Sequence, residues 1–211
     1  RGLSALESQL RYISHYPDAT NDDILNAIAD IYGMNKNQIV VGNGAAELLY
    51  AICRLPGYTG AFVPAPGFSE YKAALEASRI PVRDIYYRPR EDEHGKPYFE
   101  VPYLALETFA AELKGQDGRI IVFLGNPNNP DGTLLDKNHI RTIASMLKDA
   151  NSLLVIDESF IDFVGNDTLQ DNEYSMRSLV NEFDNIIVVH SFTKFYAVPG
   201  LRIGAAFSNP L

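Results

Sequence analysis

Residues 120–124, 153–156 and 186–189 are uninterrupted apolar runs, too short for buried helices and too uniform for strands with one wet face. Such runs are strands buried on both sides, which points to a parallel sheet with helices on each face. The intervening segments supply the helices. Thr20 is the expected N-cap of a helix that carries Ile24, Leu25, Ile28 and Ile31 and ends at Gly33. Residues 39–41 read as a short strand, followed by a glycine turn, a helix over 45–55 and a strand over 61–63. A helix through Tyr71 and Leu75 to Ser78 and a strand over 82–87 come next. Residues 88–97, polar and interrupted by Pro89, Gly95 and Pro97, read as an exposed loop. Beyond it lie a helix over 103–113, the strand 120–124 and a helix capped by Asp136 that carries Ile140, Ile143 and Leu147. The strand 153–156, a second loop over 166–172 and strands over 186–189 and 203–207 complete the series. The expected fold class is α/β, a three-layer α/β/α sandwich around a mostly parallel sheet. Ligands of such sheets sit beyond the carboxyl ends of the strands.

A chain of 211 residues is long enough for one such domain with a substantial core. Its net charge of −9 leaves no basic patch, which argues against a nucleic-acid partner but not against a small anion held by a few local arginines. No apolar run reaches the length of a membrane span, and no signal peptide opens the chain. The single cysteine, Cys53, can form neither an internal disulfide nor a zinc cluster, and reads as a buried helix residue of a cytoplasmic protein. His94, His139 and His190 lack metal-ligand spacing, so no metal site is expected. The chain starts within a helical pattern and stops after a strand pattern, as an excised domain or part of a longer chain would.

The residues able to do chemistry follow the strands. In Ser191-Phe192-Thr193-Lys194, with Arg202 eight positions on, a lysine sits between two hydroxyls and an arginine. A lysine there can condense with an aldehyde while its neighbours hold a phosphate; pyridoxal phosphate carries both groups and also needs an acid at its ring nitrogen. Asp157, at the end of the strand 153–156, offers that acid. Glu158 beside it faces the other way, because successive strand residues alternate. Gly42-Asn43-Gly44-Ala45-Ala46-Glu47 leads into a helix whose first N–H groups can meet a phosphate. It is neither a dinucleotide fingerprint nor a P-loop. Taken one at a time, two of these motifs also have bland readings, as a helix entry and a helix cap; a solvated surface lysine is a poor reading of Lys194, because its surroundings are apolar and rich in glycine.

Jointly, and in this order along the chain, they resemble the pyridoxal-phosphate-dependent aminotransferases of classes I and II. The resemblance implies the large cofactor-binding domain of a fold-type I enzyme, with a small C-terminal domain outside this chain. It implies a Schiff base on Lys194, Asp157 paired with the ring nitrogen, and Asn129 of Asn126-Pro127-Asn128-Asn129-Pro130-Asp131-Gly132 on the phenolic oxygen. Gly44, Ala45, Ala46, Ser191, Thr193 and Arg202 would hold the phosphate, and Phe68 of Pro66-Gly67-Phe68-Ser69-Glu70-Tyr71 would stack on the ring. Tyr16 resembles a family tyrosine that reaches the phosphate in a neighbouring subunit, which implies a homodimer. The chain departs from the pattern at Asp131, where threonine is usual, and at Phe160, where many relatives carry a tyrosine that donates to the phenolic oxygen. The first change is expected to be tolerated; the second implies a raised Schiff-base pKa.

Two groups within the family are most similar, the threonine-phosphate decarboxylases and the histidinol-phosphate aminotransferases. Lys194-Phe195-Tyr196-Ala197-Val198-Pro199-Gly200-Leu201-Arg202 and Asp157-Glu158-Ser159-Phe160-Ile161-Asp162-Phe163 look more like the decarboxylase. Either assignment implies a small phosphorylated amino acid or amine as substrate. Readings from two other classes compete with this one. A Ser-x-x-Lys acyltransferase would need Ser-Asp-Asn and Lys-Thr-Gly motifs, which are missing. A non-catalytic regulatory module of the same fold predicts loss of the lysine or aspartate, and both are present.

Overall fold

A computed structural model describes residues 2–113, 118–165, 169–170 and 172–210. Its centre is a seven-stranded sheet in the order β1-β9-β8-β7-β6-β2-β3. The strands are β1 (Ile39–Asn43), β2 (Tyr58–Ala65), β3 (Val82–Tyr86), β6 (Arg119–Gly125), β7 (Leu153–Asp157), β8 (Ile186–Ser191) and β9 (Ile203–Ser208). From β3 through β8 every pairing is parallel, whereas β9 runs antiparallel to both β8 and β1. The expected mostly parallel sheet is therefore present, with one reversed strand. Because β1 and β8 both oppose β9, they point the same way.

Alternation along the strands builds two cores. Ile121, Phe123, Leu153 and Val155 pack under α3 (Gly44–Cys53) and α4 (Ser69–Ala77). Val122, Leu124, Leu154 and Ile156 pack under α2 (Asp22–Tyr32), α5 (Tyr103–Glu112) and α6 (Lys137–Asp149). These are the three expected layers. Cys53 is buried in the first core, and burial pushes its thiol up to about 12. Asp136 caps α6 as expected, accepting from the backbone N–H groups of Asn138 and His139. A further helix, α1 (Gly2–Gln9), opens the chain.

Two expectations are corrected. The N-cap of α2 is Asn21, not Thr20; the carboxylate of Asp18 accepts from the N–H groups of Thr20 and Asp22 and closes the turn itself. Residues 88–97 are not a loop throughout. They belong to an antiparallel hairpin, β4 (Arg88–Glu91) and β5 (Pro97–Glu100), outside the main sheet. Its turn is built by Asp92, whose side chain accepts from the N–H groups of His94 and Lys96, and by Gly95 at φ +74°. Arg90 and Glu100 pair across it at 2.8 Å. Of the second expected loop, residues 166–168 and 171 lie outside the described residues. Among the described residues no helix is long and apolar enough to cross a membrane.

Candidate active site

Five chain segments leave the sheet on one edge. Gly125 of β6 lies opposite Asp157 of β7, and Ser191 of β8 lies opposite Gly204 of β9, which in turn faces Gly42 of β1. The segments after β1, β2, β6, β7 and β8, and Arg202 before β9, therefore meet at the carboxyl edge of the parallel strands, where α/β proteins bind ligands.

One cavity at this edge is lined by Phe68, Asn129, Asp157, Phe160 and Lys194, five of the residues singled out in the sequence. Asp157 is 6% exposed; its Oδ2 accepts from the Tyr71 hydroxyl at 3.0 Å, and its Oδ1 accepts from Ser159 N and Oγ at 2.9 and 2.6 Å. Burial, with Asp157 alongside, pushes the Tyr71 hydroxyl well above its ordinary pKa, so it remains a donor. Glu158 faces the opposite side of the sheet. It accepts from Asn126 Nδ2 and the Ser175 hydroxyl at 3.2 and 2.7 Å and from Met176 N. Alternation thus separates the two carboxylates, as expected.

The loop carrying Asn129 is tied down by the residue that departs from the family pattern. Asp131 Oδ1 accepts from Asn128 Nδ2 at 2.7 Å, and its Oδ2 accepts from the Thr133 hydroxyl at 2.8 Å. Asn128 Nδ2 also donates to Pro66 O at 3.0 Å, which joins this loop to the one carrying Phe68.

Lys194 lies on α7 (Phe192–Phe195), a single turn that follows β8 directly. Phe192 and Thr193 point inward at 7% and 3% exposure, but Lys194 is exposed, contrary to the expectation of apolar surroundings. One turn cannot bury all its side chains, and the third position of this one, Lys194, looks out over the cavity. The Nζ atom lies 5.6 Å from the centre of the Phe160 ring.

A second group of the expected residues surrounds the start of α3. Gly44 adopts φ +80°, and a Cβ there would stand 2.4 Å from Arg202 Nη2, so the guanidinium fills the space a side chain would need. A Cβ on Gly204 would meet Ala45 N at 2.6 Å. These two glycines let β9 and Arg202 approach the helix N-terminus. Ser191 Oγ and Thr193 Oγ1 are buried and 2.8 Å apart. Ala46 lies half-buried in the first turn of α3. Tyr16 is not brought to this edge; it stands fully exposed beyond α1. His94 is exposed, His139 stacks on Tyr103 at 4.3 Å, and His190 is buried.

Tyr71 and Ser159 are the residues whose contacts with Asp157 the sequence reading did not anticipate. Both had signals. Ser159 follows Asp157 by two, the spacing of a side-chain turn, and Tyr71 follows Phe68 by three, the spacing of neighbours on one helix face.

A family model described as "Aminotransferase class I and II" matches residues 5–210. The threonine-phosphate decarboxylase of Salmonella typhimurium is 32% identical over 205 residues, 95% of this chain and 50% of that protein. Histidinol-phosphate aminotransferase 1 of Psychrobacter arcticus is 31% identical over 213 residues, 97% of this chain and 49% of that protein. The chain thus spans about half the length of these curated relatives. Among solved structures, the histidinol-phosphate aminotransferase of Sinorhizobium meliloti in complex with pyridoxal-5'-phosphate superposes with a TM-score of 0.75 at 23% identity, over 99% of this chain and 52% of that one.

Proposed function

This chain belongs to the class I and II aminotransferase family, and we propose that it acts with pyridoxal 5'-phosphate on a small phosphorylated amino acid or amine, as a threonine-phosphate decarboxylase. The observation that carries this reading is the convergence of Lys194, Asp157, Asn129, Phe68 and Phe160 on one cavity. The Gly44–Arg202 and Ser191–Thr193 pairs stand on the same sheet edge. This donor set suits the cofactor. It offers an amine for the aldehyde, a buried carboxylate for the ring nitrogen, and an arginine, two hydroxyls and a helix N-terminus for the phosphate. Bound there, pyridoxal phosphate would supply a ring that takes up negative charge from the substrate's α-carbon.

Each residue then has a task. Lys194 supplies the amine and, once released, returns a proton to the α-carbon that has lost its carboxylate, as a general acid. Asp157 holds a proton on the ring nitrogen, since an opposite charge favours the protonated form. Asn129 donates to the phenolic oxygen and Phe68 covers the ring face. We read the chain as the large cofactor-binding domain, with the groups that grip the substrate's carboxylate or phosphate outside it. The full exposure of Tyr16 supports a homodimer in which it reaches the neighbouring site, and the one buried cysteine supports a cytoplasmic protein.

Threonine phosphate labelled at its carboxyl carbon, given to the intact protein with cofactor and no keto acid, tests the reading. Catalytic release of labelled carbon dioxide is the expected result. Absence of release with conversion of the cofactor to its aminated form would favour the second reading, a histidinol-phosphate aminotransferase, which the Psychrobacter relative supports.

Two substitutions, one with a control, probe the cofactor contacts. Gly44→Ala places a methyl group where Arg202 Nη2 now lies and forces a positive φ on alanine. Its affinity for the cofactor should fall about tenfold or more, the effect of losing one charged phosphate contact. Gly200→Ala, whose Cβ would meet nothing within 4 Å, should leave affinity unchanged. Phe160→Tyr restores a hydroxyl beside the amine. A pH titration of the cofactor absorption band should then show its midpoint lowered by about one unit, because one charge-assisted hydrogen bond now favours the deprotonated form.

A further inference from the structure

Behind α7 lies a buried polar cluster that this chemistry does not use. Tyr32 at the end of α2, Asp162 in the turn after Phe160, and His190 in β8 have exposures of 2%, 2% and 1%. Tyr32 donates to Asp162 Oδ2 at 2.7 Å; His190 Nε2 lies 3.0 Å from the same oxygen and 3.2 Å from the Tyr32 hydroxyl. A carboxylate only accepts, so Nε2 carries the hydrogen that His190 donates. Burial pushes Asp162 up, but the His190 and Tyr32 hydrogen bonds and the nearby Arg177 outweigh it and hold the carboxyl below its usual range. Arg177 itself stacks 4.4 Å from the centre of the Tyr32 ring.

The cluster reaches both ends of α7. A single helical turn cannot fix its own direction, because nucleating it immobilises several residues for very few hydrogen bonds. The Ser191 side chain does not cap it, and the bond from Tyr196 N to Phe192 O is long at 3.3 Å. At its start, the Phe192 ring packs 5.0 Å from His190 and 5.8 Å from Tyr32. At its end, the Tyr196 ring packs back on Phe192, 6.4 Å between centres. Asp162 also belongs to the turn that follows Phe160, and Phe163 of that turn meets Phe195 of α7 edge-on at 5.3 Å.

We infer that Tyr32, Asp162 and His190 are positioning residues that set Lys194 and Phe160 against each other, by gathering both ends of α7 and the turn after Phe160 onto one buried carboxylate. None of the three touches the cavity. The inference rests on Lys194 as the reacting amine and adds what aims it.

The test uses the intact protein. In the cofactor-free form, a brief pulse of acetic anhydride followed by mass spectrometry measures the acetylation rate of Lys194 against the other lysines. Tyr32→Phe and Asp162→Asn should change the relative rate on the order of twofold or more, as α7 loosens and the surroundings of the exposed Lys194 amine change. With cofactor, both should lower kcat about tenfold to a hundredfold with KM little changed, the signature of a displaced reacting group. His190→Gln, whose amide still donates to Asp162, should recover most of the kcat that His190→Leu loses. Unchanged Lys194 acetylation and kcat in Tyr32→Phe would overturn the inference, even if the melting temperature fell. So would a Tyr32→Phe protein that does not fold, since the hydroxyl would then be a folding requirement. Full activity in Lys194→Ala would instead refute the proposed function, and the acetylation ratio would still report on α7.

Discussion

Lys194→Ala in the intact protein should lower kcat by about a thousandfold or more while leaving the melting temperature where it was. The loss follows from removing both the covalent anchor and the proton-transfer group, each of which is commonly worth a factor of hundreds to thousands. The unchanged stability follows from the structure. Lys194 is exposed on a one-turn helix, forms no ion pair among the described residues, and its ring contact with Phe160 at 5.6 Å is long. Surface changes of this kind move stability by only a few tenths of a kcal/mol. Lys194 is also the only lysine among the residues lining the cavity. Borohydride reduction of the loaded wild type should therefore fix the cofactor on a single peptide, and the variant should retain none. Cofactor fixed on another lysine, or a kcat within tenfold of wild type, would move the reacting amine elsewhere.

The site was legible in the sequence to the extent that it is local. Strands buried on both faces leave an unmistakable apolar run, and the residues after each run must emerge at one edge if the strands are parallel. That is why the segments carrying Asp157, Asn129, Phe68, Phe160 and Lys194 could be placed at one edge; the family resemblance singled out Asn129, Phe68 and Phe160 within them, and all five residues line one cavity. What was hidden depends on contacts between distant parts of the chain or on the direction of a short element. The reversed strand β9 looks like any other apolar run, because periodicity carries no polarity. The hairpin at 88–100 is polar on its exposed faces, so only the Asp92 and Gly95 turn betrays it. The exposure of Lys194 depends on which way one turn of helix faces. The Tyr32–Asp162–His190 cluster joins residues 130 and 158 positions apart, and no local pattern predicts that.

The two adjacent carboxylates should give opposite phenotypes when each is neutralised without a change of shape. Asp157→Asn should lower kcat roughly a hundredfold to a thousandfold, the usual cost of removing one preorganised electrostatic partner from a site. Its oxygen can still accept from Ser159, so stability should fall by no more than about 1 kcal/mol. Glu158→Gln should do the reverse. Glu158 is fully buried on the other side of the sheet, where its two oxygens accept from Asn126, Ser175 and Met176 N. An amide nitrogen placed there faces donors and loses a charge-assisted bond, which costs about 1–3 kcal/mol. Since Glu158 does not line the cavity, kcat measured well below the melting temperature should stay within a few-fold of wild type. Thermal melts and steady-state kinetics on both variants separate the two roles. A Glu158→Gln enzyme that is stable but inactive would mean that the second carboxylate, and not Asp157, serves the ring nitrogen. The strand alternation that points Asp157 toward Tyr71 and Glu158 toward Asn126 forbids that outcome as long as β7 keeps its register with β6 and β8.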